Sequence, residues 1–242
     1  MIRIFLREFA GYLNSLIAYI VIIVFLVGIG LPTWVFPDSS VLDYGYADLG
    51  TLFTTGPYLL MFLAPAITMR SFAEERKLGT LELLFTKPLS DFQILSGKFL
   101  AAWALAIVAL LPTLTYYYSV WMLGSPQGNV DTPGFIGSFT GLLLLAGLFT
   151  TIGIMASTFT SSQVVSFLVA SVLCFLAYSG FESVAVLPLF GGNVLFIKQL
   201  GIFQHYESLG RGLIDSRDVV YFLTFGGINL AIASTIIASR KW

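Results

Sequence analysis

The sequence predicts an all-α membrane protein with six transmembrane helices and both termini on the cytoplasmic side. Three observations predict it. Only 10% of the 242 residues are charged, where soluble domains carry about 25%, and the mean hydropathy is +0.90. Six segments approach the roughly 20 apolar residues that a spanning helix needs, at about 16–36, 52–71, 99–123, 136–159, 164–187 and 220–239. Lysine and arginine are distributed unevenly between the loops that join them. So apolar a chain lacks the polar side chains to cover a globule, so lipid must solvate much of it. The whole of 1–242 reads as one transmembrane domain, because no long stretch has ordinary charge density.

Residues 1–15 precede the first span. Ile2, Phe5, Leu6 and Phe9 fall at helical spacing on one face, and Arg3, Arg7 and Glu8 lie elsewhere on the wheel. That pattern suits a short helix lying in the membrane interface, and a plain extension of the first span is the alternative. Arg3 and Arg7 before an apolar run also resemble a signal peptide, but no A-x-A-like site ends the run and more spans follow. The segment therefore reads as a retained first helix.

Within the six segments only Arg70 and Glu182 are charged, both toward an end. With the N-terminus inside, the inner side carries Arg3, Arg7, Arg70, Arg76, Lys77, Lys87, Lys98, Arg240 and Lys241, against Lys198, Arg211 and Arg217 outside. This is the positive-inside asymmetry. Pro65 and Pro112 each remove a backbone donor and should kink their spans. Gly137 and Gly141 form a G-x-x-x-G pair that permits close helix contact, within the chain or with a second copy. Cys174, the single cysteine, lies in an apolar run and reads as packing; it excludes an internal disulfide.

The outer segment 188–219 contains the apolar stretch Val194–Phe203, interrupted by Lys198 and too short to span. It reads as a re-entrant or an interfacial helix. His205, Glu207, Arg211, Asp215, Arg217 and Asp218 follow it and predict a wet, folded outer cap.

The inner segment 72–98 carries the most local information. Counting from Arg70, its charges are Arg70, Glu74, Glu75, Arg76, Lys77, Glu82, Lys87, Asp91 and Lys98. Gly79 can end the helix that leaves the second span. Thr80 can cap a new short helix with Glu82 favourable in its first turn. Leu78, Leu81, Leu84 and Phe85 give that helix an apolar side. Lys87-Pro88 closes it, and Ser90 with Gln93 forms a capping box for the third span. Two readings stay open on these residues: a loop lying flat on the headgroups, or a lever that a soluble partner grips.

The run EERKLGTLELLFTKPLSDFQILSGK, residues 74–98, resembles the cytoplasmic segment of ABC-2 type permeases. The shared pattern E-x-x-x-G-T-x-E-x-L-x-x-x-P-x-S falls here on Glu75, Gly79, Thr80, Glu82, Leu84, Pro88 and Ser90. The resemblance implies an ABC-2 permease-like fold in which this segment is a coupling helix touching ATPase subunits. Residues 74–76 and the apolar positions named above belong to that implied contact. PAITMRSFAEE at 65–75, LGSPQGNVD at 123–131 and HYESLGRGLIDSRDVVYF at 205–222 further resemble the gliding-motility-associated (GldF-like) permeases of Bacteroidetes. That resemblance implies a separate cytosolic ABC ATPase (GldA-like, in two copies), a second membrane subunit (GldG-like) and a bacterial inner-membrane location.

Other chemistries are poorly served. No G-x-x-x-x-G-K-[ST] sequence is present, so the chain has no P-loop of its own. Leu95-Ser96-Gly97 continues with Lys98 at a helix start and does not extend into an ABC signature. There is no H-E-x-x-H, and the only histidine is His205, which disfavours zinc or copper. No cofactor is expected, nor, at a net charge of −1, nucleic-acid binding. Span interiors without charge argue against ion- and proton-coupled carriers and against an intramembrane hydrolase. The chain thus reads as a transport subunit rather than an enzyme, with a non-transporting membrane scaffold as the alternative.

Overall fold

The computed structural model describes residues 1–80, 90–185 and 194–239. Every regular element among them is helical. Helix α1 covers Ile2–Leu13, α2 Leu16–Trp34, and the single turn α3 Val41–Tyr44. Helix α4 covers Gly50–Thr68 and α5 Ala73–Lys77. Helix α6, Asp91–Leu110, passes through a 3-10 turn at Leu111–Thr113 into α7, Leu114–Leu123. Helix α8 covers Thr132–Phe159. Helix α9, Gln163–Phe175, passes through a π turn at Leu176–Gly180 into α10, Phe181–Ala185. Helices α11, Val194–Leu200, and α12, Ile202–Leu209, precede the last long helix, α13, Ser216–Ala238. Six helical stretches among the described residues are long and apolar enough to cross a membrane.

The breaks have local causes. Ser15 is extended, with φ −94° and ψ 122°, so α1 is a separate helix and not a straight extension of α2. Helix α1 buries Ile4, outside the apolar face read from the helical wheel, and leaves Ile2 and Leu6 exposed. Ile4 lies against Gly97 on α6, where an added Cβ would sit 2.9 Å from its side chain. Pro112 occupies the 3-10 turn that parts α6 from α7. Pro65 lies inside α4, as does Pro57, while Pro32 lies inside α2. A proline's lost donor is tolerated in such helices when neighbours satisfy the freed carbonyls.

Helix α8 is the centre of the bundle. It packs against α4, α6, α9, α12 and α13. Its apolar window is 72% buried, against 22% for the α2 window and for the one running from α9 to α10. A central helix needs close neighbours, and its small residues permit them. Gly147 receives the Trp103 ring, Gly153 the Thr68 side chain, and Gly141 the Tyr206 ring. Gly137 abuts the Leu209 carbonyl oxygen. The G-x-x-x-G pair therefore packs on the chain's own α12. Cys174 is fully buried in the main core. A smaller second core of Ile4, Phe72, Ile94, Leu95, Ile154, Ala233 and Ile237 gathers at the other end of the bundle.

Two substitutions separate contact from propensity. Gly137→Val forces a side chain onto backbone and should destabilise the fold by about 1–3 kcal/mol, as overpacking does. Gly227→Ala in α13, where nothing lies within 4 Å of the added Cβ, should be neutral or stabilising by about 0.5–1 kcal/mol. Thermal unfolding of both variants in one detergent checks the contrast.

Candidate functional site

At the second core the chain buries an ammonium group. Lys98, on the second turn of α6, has a side chain only 1% exposed. Its Nζ donates to Glu75 Oε1 at 2.8 Å, to the Ser71 carbonyl oxygen at 2.7 Å and to Glu8 Oε1 at 3.3 Å. The ring of Phe72 lies 5.0 Å from the same nitrogen. An isolated charge so placed would be prohibitively desolvated; three acceptors and an aromatic ring satisfy it. The acceptors come from α1, from the turn after α4 and from α5, so one ammonium fastens three pieces of chain to α6.

The surrounding polar groups extend the node. Arg7 pairs with Glu8 at 2.6 Å and approaches Glu75 at 3.8 Å. The Tyr12 hydroxyl meets Ser71 Oγ at 3.2 Å. Burial pushes the Tyr12 phenol up to about 12, against the opposing effect of that hydrogen bond, so it stays neutral. Arg70 donates to Ser15 Oγ at 3.4 Å. Arg76 donates to the carbonyl oxygen of Thr158, in the last turn of α8, where a cation meets the negative end of the helix dipole. Beside the node opens a cleft of about 530 Å³, lined by Arg70, Tyr12 and Glu74 and by apolar residues of α2, among them Ala18 and Val21.

Glu75 has a second role through its backbone. Helix α5 ends with Leu78 as C-cap and Gly79 at φ +68°. The Thr80 N–H donates to the Glu75 carbonyl oxygen at 3.0 Å, and the Gly79 N–H to that of Arg76 at 3.2 Å. These two bonds define a Schellman motif. The Thr80 hydroxyl also donates to the Glu75 carbonyl oxygen, at 3.3 Å. The spacing E-x-x-x-G-T thus has a physical meaning here. The glutamate both accepts the cap and holds Lys98, the glycine supplies the left-handed turn, and the threonine closes it.

Of the residues picked out by sequence, Glu74, Glu75 and Arg76 lie on α5, and Leu78, Gly79 and Thr80 form its cap. Leu81, Glu82, Leu84, Phe85 and Pro88, and with them the short helix expected between Thr80 and Lys87, lie outside the described residues. Ser90 and Gln93 form the capping box of α6. Thr80 bonds backward to α5 among the described residues.

On the outer side His205 and Glu207 sit on α12, and Arg211 follows it. His205 Nδ1 lies 2.7 Å from Asp218 Oδ1 and Nε2 lies 2.9 Å from the Gln199 carbonyl oxygen. The His205 ring stacks on Tyr221 at 3.8 Å. Asp215 caps α13 by accepting from the Arg217 N–H at 2.9 Å. The Tyr206 hydroxyl donates to the Phe53 carbonyl oxygen at 2.9 Å, tying α12 to α4, and burial pushes that phenol upward. His205 is thereby tied to α11 and α13, whereas Asp215 and Arg217 are exposed and form the local cap of α13. Glu207 and Arg211 remain exposed and without an ion pair among the described residues.

Sequence reading missed Lys98 as a buried group, together with Glu8, Tyr12, Ser71 and Phe72. Lys98 counted only toward the inner positive charge. A usable signal existed: Lys98 follows Ile94, Leu95 and Gly97 and precedes Phe99 and Leu100, so it sits in an apolar setting where a lysine needs a partner.

Glu75→Gln should destabilise the fold by about 2–3 kcal/mol, because Lys98 keeps Glu8 and the Ser71 carbonyl but loses its nearest carboxylate. Adding Lys98→Met should restore part of that loss, since the stranded charge is then gone. Thermal unfolding of the single and double variants reads both effects, and strict additivity would refute the pairing.

The profile of the family described as ABC-2 family transporter protein matches residues 40–238. No curated protein matches the chain. The match runs from the first outer loop to the end of α13 and contains the Glu75–Thr80 cap and Lys98. A multi-pass helical bundle with that motif at its charged inner end is the product of this sequence, and the chain belongs to the ABC-2 transporter family.

Proposed function

We propose that this chain is the membrane-spanning subunit of an ABC-2 transporter, and that segment 72–98 transmits the motion of a separate cytosolic ATPase to its spans. Permeases of this family generally pair with such a subunit. The observation that carries the reading is the buried Lys98–Glu75 contact at 2.8 Å. A force applied beyond Thr80 reaches α5 through the Schellman cap. It then reaches α6 and α1 through Lys98, and α8 through Arg76. Leu78 and Phe92, on the two flanks of residues 81–89, are each about two-thirds exposed, at 66% and 67%. They offer apolar surface to a docking protein.

The ATPase acts in two copies, and a second membrane subunit completes the pathway that the six candidate spans among the described residues begin. The thinly buried α2 and the α9–α10 span are the faces left to lipid or to that subunit. The resemblance at 65–75, 123–131 and 205–222 favours a place in a gliding-motility machine of the bacterial inner membrane, with GldA-like and GldG-like partners. A non-transporting scaffold remains the second reading, favoured by the folded outer segment that joins α11, α12 and α13.

Isolation, variants and reconstitution test the proposal. Isolation from the native membrane should recover an ATPase with the chain. Leu81→Asp and Glu82→Lys variants should insert normally yet lose that ATPase or its stimulation; full retention of both would sink the coupling role. Gly79→Ala is a conformational probe, since nothing lies within 4 Å of the added Cβ and φ is +68°. It should insert normally, cost about 1–2 kcal/mol of local strain, and reduce ATPase stimulation. In reconstituted vesicles, ATP-dependent flux of an envelope lipid or polymer would exclude the pure scaffold.

A further inference from the structure

The outer end of the bundle holds a second cleft, of about 510 Å³, that the coupling role does not use. This volume is within the range of small-molecule sites. Its aromatic wall comes from separate elements: Tyr58 on α4, Tyr178 in the π turn, and Phe203 and Tyr206 on α12. Tyr178 is the hub. Its ring lies 5.7 Å from Tyr58 at 79°, 5.5 Å from Phe203 at 85°, and 6.3 Å from Tyr206 at 57°. The near-perpendicular rings pack edge to face on one another and make a rigid aromatic side of the cleft. Tyr178 is 2% exposed and forms its floor, whereas Tyr58 is 46% exposed and forms an open wall. The π turn that carries Tyr178 is the only such turn among the described residues, and turns of this kind recur at functional sites.

The charges in the cleft have a definite sign. Asp48, Asp131 and Glu207 line it, against the single cation Arg211. Asp131 accepts from the Gly134 N–H at 3.1 Å as the cap of α8. Asp48, Glu207 and Arg211 form no ion pair among the described residues. Aromatic faces are negative and attract cations. The carboxylates add to that potential, so rings and rim both select against an anion.

We infer that this cleft binds an organic quaternary ammonium group, held against the exposed Tyr58 ring with the Asp48 and Glu207 carboxylates lining the same cleft. Tyr58 lies eight residues into α4 from Gly50, so this wall sits about 12 Å below the outer end of that helix. An ammonium group at this depth reaches the cleft either on a soluble compound or on the headgroup of an outer-leaflet lipid.

The test compares choline with its uncharged carbon isostere, 3,3-dimethylbutanol, on the full chain purified in detergent. Calorimetry should show choline binding and no comparable binding of the isostere. Tyr58→Leu and Glu207→Gln should each weaken choline binding about threefold to tenfold. Glu207 is exposed, so its variant should unfold at the unaltered temperature. Equal binding of the two probes, no choline binding at millimolar concentration, or unchanged affinity in both variants would overturn the site. Lipid nanodiscs identify the source. Choline binding lost in phosphatidylcholine but kept in phosphatidylglycerol assigns the cleft to a headgroup, and binding kept in both assigns it to a soluble amine.

Discussion

A lysine that has lost its water governs the inner half of this protein. The Lys98 ammonium is almost wholly buried, and desolvation at that depth is tolerable only while its acceptors stay in place. Glu8 is far in sequence from Ser71 and Glu75, yet all three accept from the same ammonium. The position of α1 across the foot of α6, the turn that follows α4 and the start of the 72–98 segment are therefore mutually constrained. The small apolar core of Ile4, Phe72, Ile94, Leu95 and Ile154 lies at the same end of the bundle and buries the Phe72 ring that faces the ammonium. Such a pair contributes little to net stability against an apolar substitute, but it fixes one arrangement over others. That is the property the proposed coupling role requires.

From this joint the family motif acquires a mechanical reading. Glu75 serves two masters, with its carbonyl receiving the cap of α5 and its carboxylate holding Lys98. Displacing the cap would move the ion pair, and moving the ion pair would disturb α1 and α6. Arg76, one residue on, ties the same short helix to the last turn of the central helix α8. The outer half is organised by a different physics. There, aromatic rings and backbone-directed hydroxyls dominate, with Tyr206 and Tyr221 each donating to a carbonyl oxygen of a neighbouring element. An aromatic body with one polar end suits a boundary that is apolar on one side and wet on the other.

The six spans were legible because bilayer thickness imposes a length and composition that no other constraint imitates. Gly79 and the Ser90–Gln93 box were legible because caps depend on residues only a few positions apart. The π turn was not, since nothing in Leu176–Gly180 departs from an apolar helical pattern; its wider turn follows from where Tyr178 packs. Nor was the role of Gly137 and Gly141, because the motif states only that something approaches closely. The occupant proved to be α12 of the same chain.

By itself, then, the sequence determined the all-helical class, the six apolar stretches long enough to span, the Gly79 turn and the Ser90–Gln93 capping box. All of these are set by composition or by neighbours within about one helical turn. The tertiary structure alone decided that Lys98 is buried and that Glu8 and Glu75 answer it. It alone gathered Tyr58, Tyr178, Phe203 and Tyr206 around one cleft. Apart from Phe203 and Tyr206, which share one helix, those groups come from separate stretches of the chain, and a side chain's chemistry does not name its partner. Only packing brings a charge near its acceptor, and only burial makes that acceptor obligatory.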